Sequence, residues 1–221
     1  HTYFNKFKAC LRAAFDEGFL KENLVKKVKG FPMAESTREY LTSRELQNLA
    51  RTECRFPKLK RAFLLSALTG IRWSDINKLK WKEVRDEGTD HLGKPMFRVV
   101  FKQKKTDGAE YLYISKQARD LLGDRKGPED RVFKGLRYSA HMNIHLLKWC
   151  MHAGITKHIT FHSARHTNAV LLLENGADIY TVSKRLGHRE IRTTQIYAKI
   201  IDEKMKQAAD MMPKLNLQTI E

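Results

Sequence analysis

The sequence has few cysteines, a deficit of acidic residues and no long apolar run. Its three cysteines, Cys10, Cys54 and Cys150, are widely spaced and form no CxxC pair. This pattern argues against a disulfide framework or a zinc site and is typical of free thiols in a reducing cytoplasm. Since we find no transmembrane stretch, basic amphipathic anchor or signal peptide in the sequence, we expect a cytoplasmic protein with no membrane partner.

The deficit of acidic residues leaves the chain strongly basic. It carries 42 Lys and Arg against 25 Asp and Glu, which gives a net charge of +17. Such a charge favours a polyanion, usually DNA or RNA, although charge alone does not name the partner. For a DNA partner, we expect the affinity to fall steeply as the salt concentration rises.

Residues 2–29 contain apolar side chains at a spacing of three to four, which predicts a helix. Residues 29–39 contain Gly30 and Pro32 and little apolar pattern, which is typical of a linker. Because the sequence begins with His1 inside a helical pattern, we expect the chain to be part of a longer protein.

The main domain is predicted to begin near residue 42. Thr42 and Glu45 have the T-x-x-E spacing of a capping box at a helix N-terminus. Residues 58–69 then predict a buried helix, and Gly70 stands where a glycine ends a helix.

Ser74 is placed to cap a helix over residues 75–81, so Arg72 is predicted to lie in the turn between two helices. An arginine held there by rigid elements is suited to bidentate phosphate contacts. The alternative is a surface residue or a partner to a carboxylate such as Asp75.

Residues 96–103 and 111–115 have the pattern of two antiparallel strands, and the Asp-Gly pair between them predicts a hairpin. Lys104 and Lys105 fall at the tip of this hairpin. They either protect an edge strand by charge or deliver an ammonium group to a phosphate or a leaving oxygen.

Helical patterns occupy most of the remaining sequence, so the predicted fold class is mainly α with a small antiparallel β-sheet (α+β). Thr160 and Asp178 are predicted helix N-caps, and Gly187 is a predicted helix end. The predicted helices cover residues 116–123, 139–154, 161–176 and 178–187.

The segment TFHSARHT places His162, Arg165 and His166 at i, i+3 and i+4, hence on one helix face. A cationic face at the first turn of a helix suits an anion such as phosphate, and a solvated polar face is the alternative. His158, His162 and His166 are also spaced by four, like half of a zinc site. Because no acidic third ligand is suggested and Arg165 would repel a dication, we favour phosphate over metal.

The segment LGHREIRTTQIYA ends in Tyr197 and allows two interpretations. By itself, a tyrosine beside Ile196, Ile200 and Ile201 is typical of an aromatic side chain packed on a helix. The alternative is a nucleophile.

The order and spacing of these motifs are more specific than any one of them. T-G-x-R at Arg72, a hairpin lysine, H-x-x-R at 162–165, G-H at 187–188 and a tyrosine nine residues after that histidine resemble the tyrosine recombinase (phage integrase) family. The resemblance covers residues 38–212 and implies the catalytic-domain fold of that family. The implied domains are a C-terminal remnant of a DNA-clamping core-binding domain (1–33), a linker (34–41), the catalytic domain (42–212) and a C-terminal tail (213–221).

The resemblance also implies which residues act in catalysis. They are Arg72, Lys105, His162, Arg165, His188 and Tyr197. Lys104 is the alternative to Lys105, and Asp75 matches an acidic position that supports the first arginine. Trp73 and Arg192 depart from residues common in the family, but neither stands at a catalytic position.

The implied reaction is phosphodiester transfer without a metal or other cofactor. Tyr197 would attack the scissile phosphate, two guanidiniums would stabilise its oxygens, and Lys105 would protonate the leaving oxygen. His162 would accept the tyrosine proton, and His188 would donate to a phosphate oxygen and brace the Tyr197 segment. The neighbouring isoleucines would do the packing and leave the hydroxyl free, either pointing into its own site or withdrawn until DNA and partner subunits arrive.

The implied function is a site-specific DNA recombinase or integrase of a mobile element. Its implied partners are double-stranded DNA, further copies of the chain (a tetramer on DNA) and accessory DNA-bending or excision proteins. A DNA-binding protein without catalysis is a second hypothesis, since residues 174–190 have helix-turn-helix spacing, but the full set of catalytic residues argues against it. A type IB topoisomerase is a third hypothesis, against which the lack of large clamp insertions argues.

Overall fold

The computed structural model describes residues 2–28, 30, 38–102 and 109–197. The chain divides into two compact units, His1–Thr37 and Arg38–Glu221. Among the residues described, no helix combines the length and the apolar character needed to cross a bilayer.

The first unit contains helix α1 (Thr2–Asp16) and a short 3₁₀ helix, Leu24–Lys27. The prediction of one helix over residues 2–29 was therefore wrong beyond Asp16. Gly18 adopts a φ of +81°, a left-handed conformation that interrupts the helical path.

The second unit confirms the predicted class, mainly α with one small antiparallel sheet. Its α-helices are α2 (Ser43–Arg51), α3 (Pro57–Thr69), α4 (Trp73–Ile76), α5 (Lys116–Asp120), α6 (Ala140–His152), α7 (Phe161–Glu174) and α8 (Ile179–Arg185). Its strands are β1 (Val84–Thr89), β2 (Pro95–Lys102) and β3 (Ala109–Ile114). Within the described part of this unit, short 3₁₀ helices cover Trp81–Glu83, Ile191–Thr193 and Gln195–Tyr197.

The sheet has the order β1-β2-β3, and both pairings are antiparallel. Val84, Val99 and Leu112 lie opposite one another across the three strands, and all are buried. This row forms the core face of the sheet. The sequence did not predict β1, because the rest of that strand (RDEGT) is polar and carries no apolar alternation. The predicted hairpin tip, with Lys104 and Lys105, lies outside the described residues.

The helix termini that the sequence predicted are mostly present. The N–H of Thr42 donates to Glu45 Oε2 at 2.7 Å, and the N–H of Glu45 donates to Thr42 Oγ1 at 3.2 Å, which completes the predicted capping box. Asp178 caps α8, as predicted. These caps satisfy backbone donors that have no partner within the helix.

The predicted helix over residues 75–81, capped by Ser74, was wrong. Helix α4 is a single turn that begins at Trp73, and Arg72 occupies its N-cap with φ −69° and ψ 152°. The Arg72 carbonyl already accepts from the N–H groups of Asp75 and Ile76, so the helix starts two residues earlier than the Ser74 hydroxyl suggested.

The core of this unit is built around α3 and α7, which pack against each other. Phe63 of α3 meets Trp149 of α6 and Phe161 of α7 edge-on, each with ring centroids 5.8 Å apart. Asn168 of α7 donates from Nδ2 to the Ala67 carbonyl of α3 at 2.9 Å. Because these contacts are buried, the ends of α3 and α7 form a rigid support for the residues that follow.

Candidate active site

Arg72 follows a tight turn at the end of α3. Gly70 adopts a φ of +75°, and a Cβ there would lie 2.6 Å from a Leu186 methyl and 2.8 Å from Asn168 Oδ1. Both the backbone and the packing therefore require glycine. The turn brings the half-buried Arg72 close enough for its Nη2 to donate to the Gly187 carbonyl at 3.4 Å.

Arg165 lies in the second turn of α7 and is only 5% exposed. Its Nη1 donates to the Gly70 carbonyl at 2.6 Å, and its Nη2 donates to the Leu186 carbonyl. Burial lowers the pKa of Arg165 to about 9, and the nearby charge of Arg72 adds to that effect, while Asp75 opposes it. The guanidinium is thus fixed by main-chain acceptors and remains cationic at neutral pH.

His188 stands just after α8. Its backbone N–H donates to the Ser183 carbonyl at 3.0 Å. Its ring Nδ1 lies 2.8 Å from Oγ1 of the fully buried Thr194. Burial lowers the pKa of His188 to about 4, and the charges of Arg165 and Arg72 add to this effect. The ring is therefore neutral at neutral pH.

Tyr197 ends the described part of the chain and is 6% exposed. It belongs to a small buried cluster that includes Val170, Val182 and Leu186. Its N–H donates to the Thr194 carbonyl at 3.0 Å, so the residue that contacts His188 also supports the tyrosine backbone.

The expectation that isoleucines pack in place of the tyrosine was wrong for Ile196, which is 46% exposed. In a 3₁₀ helix neighbouring side chains are about 120° apart, so Ile196 faces away when Tyr197 faces inward. Residues 200 and 201 lie outside the described part of the chain. The tyrosine itself therefore does the packing.

The hydroxyl of Tyr197 forms a hydrogen bond with Nδ1 of His166. Burial raises the pKa of Tyr197 to about 12, even though the charges of Arg38 and Arg165 act in the opposite direction. The hydroxyl is therefore protonated at neutral pH. The family resemblance implied that His162 accepts this proton, whereas the hydroxyl contacts His166, one turn further along α7.

His162 and His166 differ in their surroundings. His162 is exposed, and its ring meets that of His166 edge-on, with centroids 4.6 Å apart. His166 is 7% exposed, and burial lowers its pKa to about 3, with His162, Arg38, Arg165 and His188 adding to the effect. The H-x-x-R-H spacing was the signal for His166, but it predicted a shared helix face and not a contact 31 residues away.

The sequence did not indicate two further residues of the site, Thr194 and Arg38, because no local pattern marks them. Thr194 links His188 to the Tyr197 segment. Arg38 is exposed and precedes α2, and its charge disfavours protonation of His166 and His188 and favours ionisation of Tyr197.

The structure thus brings the predicted site residues together at the ends of α3, α7 and α8, apart from the lysine, which is not among the described residues. The residues that it places there are Arg72, His162, Arg165, His188 and Tyr197. Within the described ranges, no group of three or more His, Cys, Asp or Glu side chains is arranged to hold a metal ion. The concentration of cationic and neutral donors suits a phosphate.

Comparison with known proteins gives a consistent result. Residues 39–204 match the model of the Phage integrase family. The tyrosine recombinase XerD of Oceanobacillus iheyensis is 42% identical over 98 residues, which is 42% of this chain and 33% of the relative. The ICEBs1 integrase of Bacillus subtilis is 25% identical over 240 residues, which is 96% of this chain and 65% of the relative. The chain therefore spans less than two thirds of the length of either relative.

Solved structures share the fold. A lambda integrase (75–356) dimer bound to a COC′ core site has a TM-score of 0.68 and 18% sequence identity, and the match covers 98% of this chain and 75% of that one. At this identity the similarity concerns the fold, and it confirms the fold that the sequence motifs implied.

Proposed function

The chain belongs to the phage integrase family, and from this premise we propose that it is the catalytic part of a site-specific DNA recombinase of a mobile element. The observation that carries the proposal is the convergence of the Arg72 and Arg165 guanidiniums with the hydroxyl of Tyr197. The similarity to the ICEBs1 integrase over nearly the whole chain supports the link to a mobile element.

In the proposed reaction, Tyr197 Oη attacks a DNA phosphate in line with the 5′ oxygen. A phosphorus–oxygen bond to the tyrosine forms and the bond to the 5′ oxygen breaks, which leaves a 3′-phosphotyrosyl link and a 5′-hydroxyl. Because the link retains the phosphodiester bond energy, a 5′-hydroxyl from another strand can reverse the step and join the strands. No metal or nucleotide cofactor enters this scheme.

The two arginines stabilise the negative charge that develops on the non-bridging oxygens. A guanidinium has five N–H donors, so the contacts of Arg165 with Gly70 and Leu186 do not use all of them. Those contacts fix the cation before DNA arrives, which is the property that makes such a group effective in a transition state.

The leaving oxygen needs a proton, and we assign its delivery to Lys105, with Lys104 as the alternative. His188 contacts Thr194 through Nδ1, so its Nε2 is the ring atom that would donate to a phosphate oxygen. The tyrosine hydroxyl must release its proton as it attacks, and we assign the uptake of this proton to His162, the exposed residue in the first turn of α7.

We extend the proposal to the organisation of the protein. It acts in the cytoplasm on double-stranded DNA, as a tetramer and with accessory DNA-bending or excision proteins. The lambda integrase dimer on its core site supports assembly on DNA. The proposed divisions are the end of a DNA-clamping domain (1–33), a linker (34–41), the catalytic domain (42–212) and a tail (213–221).

The test is covalent capture of DNA. Nicked duplexes with a randomised core are incubated with the chain and, in parallel, with the longer protein to which we assign it. Adducts that survive denaturation are collected and sequenced. We expect a 3′-linked adduct with wild type and none with Tyr197→Phe.

Tyr180→Phe is the matched control, because Tyr180 is 74% exposed and lies outside the candidate site. It should form the adduct at the wild-type level. If the longer protein forms no adduct, or if Tyr197→Phe still forms one, the proposed function is wrong.

A further inference from the structure

We propose that His166 is a positioning residue for Tyr197, because its Nδ1 accepts the hydrogen bond of the tyrosine hydroxyl and fixes the place of the attacking oxygen. This inference rests on the proposed function, since it assigns His166 a role in the attack by Tyr197. His166 lies outside the set of residues that the family motifs predicted.

The geometry is that of two buried side chains that meet from different elements. His166 is 7% exposed and lies on α7, and Tyr197 is 6% exposed and lies at the end of a 3₁₀ helix. Their ring centroids are 5.9 Å apart, and Nδ1 of one faces the hydroxyl of the other. A contact between two nearly water-free groups has no solvent to replace it, so its loss leaves a polar atom without a partner.

The surroundings set the direction of this hydrogen bond. The charged groups that act on the tyrosine hydroxyl are Arg38 and Arg165. Both are guanidiniums, which can donate hydrogen bonds but not accept them. The hydroxyl proton must therefore point to an acceptor, and Nδ1 of His166 is that acceptor. This assignment puts the ring proton of the neutral imidazole on Nε2.

The position of His166 explains why the contact matters for the reaction. His166 directly follows Arg165 on α7, and Arg165 is fixed by two main-chain carbonyls. The hydrogen bond therefore ties the tyrosine oxygen to the same helix turn that carries the proposed phosphate-binding guanidinium. Without this hydrogen bond, the aromatic ring of Tyr197 stays buried but no described side chain fixes the position of its hydroxyl.

The experiment compares two substitutions that separate the acceptor from the shape of the ring. His166→Asn places an amide oxygen near the position of Nδ1 and so keeps an acceptor. His166→Phe keeps a ring but removes the acceptor. His152→Asn, on the exposed end of α6, is the control. The readouts are the single-turnover rate of adduct formation at saturating DNA and, separately, the DNA dissociation constant.

We expect His166→Phe to slow adduct formation by about 10- to 100-fold, with the dissociation constant unchanged. We expect His166→Asn to stay within about fivefold of wild type, and His152→Asn to match it. Wild-type rates in His166→Phe, or equally slow rates in the two His166 variants, would overturn the proposal.

A second measurement needs no DNA and separates this inference from the proposed function. In ¹⁵N spectra of histidine-labelled protein, His166 should show an unprotonated Nδ1 whose resonance shifts in Tyr197→Phe and stays unchanged in Tyr180→Phe. If the longer wild-type protein forms no adduct, the proposed function fails, and this spectrum still decides whether the contact exists. An Nδ1 resonance that is the same in wild type and Tyr197→Phe would refute the contact, including in the case that His166→Phe does not fold.

Discussion

The guanidinium of Arg165 and the hydroxyl of Tyr197 lie in one site but are held by different kinds of structure. Arg165 donates to main-chain carbonyls at Gly70 and Leu186, next to the ends of α3 and α8. Helix α7, which carries it, packs on α3 in the centre of the domain. No substitution of a neighbouring side chain removes those acceptors.

Tyr197 is held mainly by side chains. Its hydroxyl contacts His166, its ring packs in a cluster of few residues, and its segment is tied to His188 through Thr194. Each of these contacts depends on a single residue that a substitution can change.

The difference indicates how the site is divided. The cationic half is held by main-chain carbonyls and is in position before any substrate binds. Electrostatic stabilisation of a transition state requires this kind of preorganisation. The half that contains the proposed nucleophile depends on a few side-chain contacts, and burial raises the pKa of its hydroxyl to about 12. We therefore expect substitutions in the two halves to differ in the size of their effects.

Arg165→Lys should have the largest effect, because it keeps the charge but loses the fork that contacts two carbonyls and, in the proposed reaction, would also contact a phosphate. We expect adduct formation to slow by about 100- to 1000-fold, as for the loss of one preorganised donor. The measurement is the single-turnover adduct rate, with Arg192→Lys on the exposed surface as control. A wild-type rate in Arg165→Lys would show that charge alone suffices and would remove the contrast between the halves.

Gly70→Ala tests the packing around the turn whose carbonyl accepts a hydrogen bond from Arg165. The new Cβ would meet Leu186 and Asn168, so we expect a loss of about 1–3 kcal/mol in the free energy of unfolding, beyond the cost of the left-handed backbone. Gly154→Ala is the control, since its φ is +76° and nothing lies within 4 Å of the added carbon. Urea unfolding followed by the fluorescence of Trp73, Trp81 and Trp149 reports on this unit, and equal losses in the two variants would contradict the packing argument.

The buried histidines predict a pH dependence of stability. His166 has a pKa of about 3 in the folded protein against an ordinary value of 6.5, so below pH 6.5 the unfolded chain binds the proton and the folded chain does not. Stability should therefore fall as pH decreases from about 6.5, by up to about 1.4 kcal/mol per pH unit from His166. Burial is the main cause of the low pKa of His166, and the nearby His162, Arg38, Arg165 and His188 lower it further.

The check is urea unfolding at several pH values between 6.5 and 4.5. His166→Asn should give a shallower decline than wild type, while His152→Asn should not change it. The same slope in all three proteins would mean that His166 does not differ in protonation between the folded and unfolded states.

Thr194→Val should have the smallest effect. It keeps the volume of the side chain and removes the hydroxyl that contacts His188 Nδ1, a contact expected to contribute about 0.5–1.5 kcal/mol. That loss corresponds to an adduct rate lower by about 2- to 10-fold. The exposed Thr193→Val is the matched control, and equal rates for the two valine variants would remove Thr194 from the support of the tyrosine.

Local features were predicted where a short stretch of sequence contains all of the interacting groups. The capping box of Thr42 and Glu45 and the left-handed Gly70 are examples, because their partners lie within a few residues. The cap at Ser74 was wrong because Arg72, two positions earlier, is the N-cap, and its carbonyl already accepts from the N–H groups of Asp75 and Ile76.

The amino-acid sequence by itself determined the basic charge, most of the helical segments, the strands β2 and β3, and the order of motifs that identifies the family. It also determined that Arg165 and His166 share a helix face, because the period of an α-helix places residues three to four apart on one side. Only the tertiary structure decided that Arg165 meets the Gly70 carbonyl 95 residues away and that Tyr197 turns inward to His166 while Ile196 turns out. Such contacts depend on how α3, α7 and α8 pack, and the local spacing of residues does not contain that information.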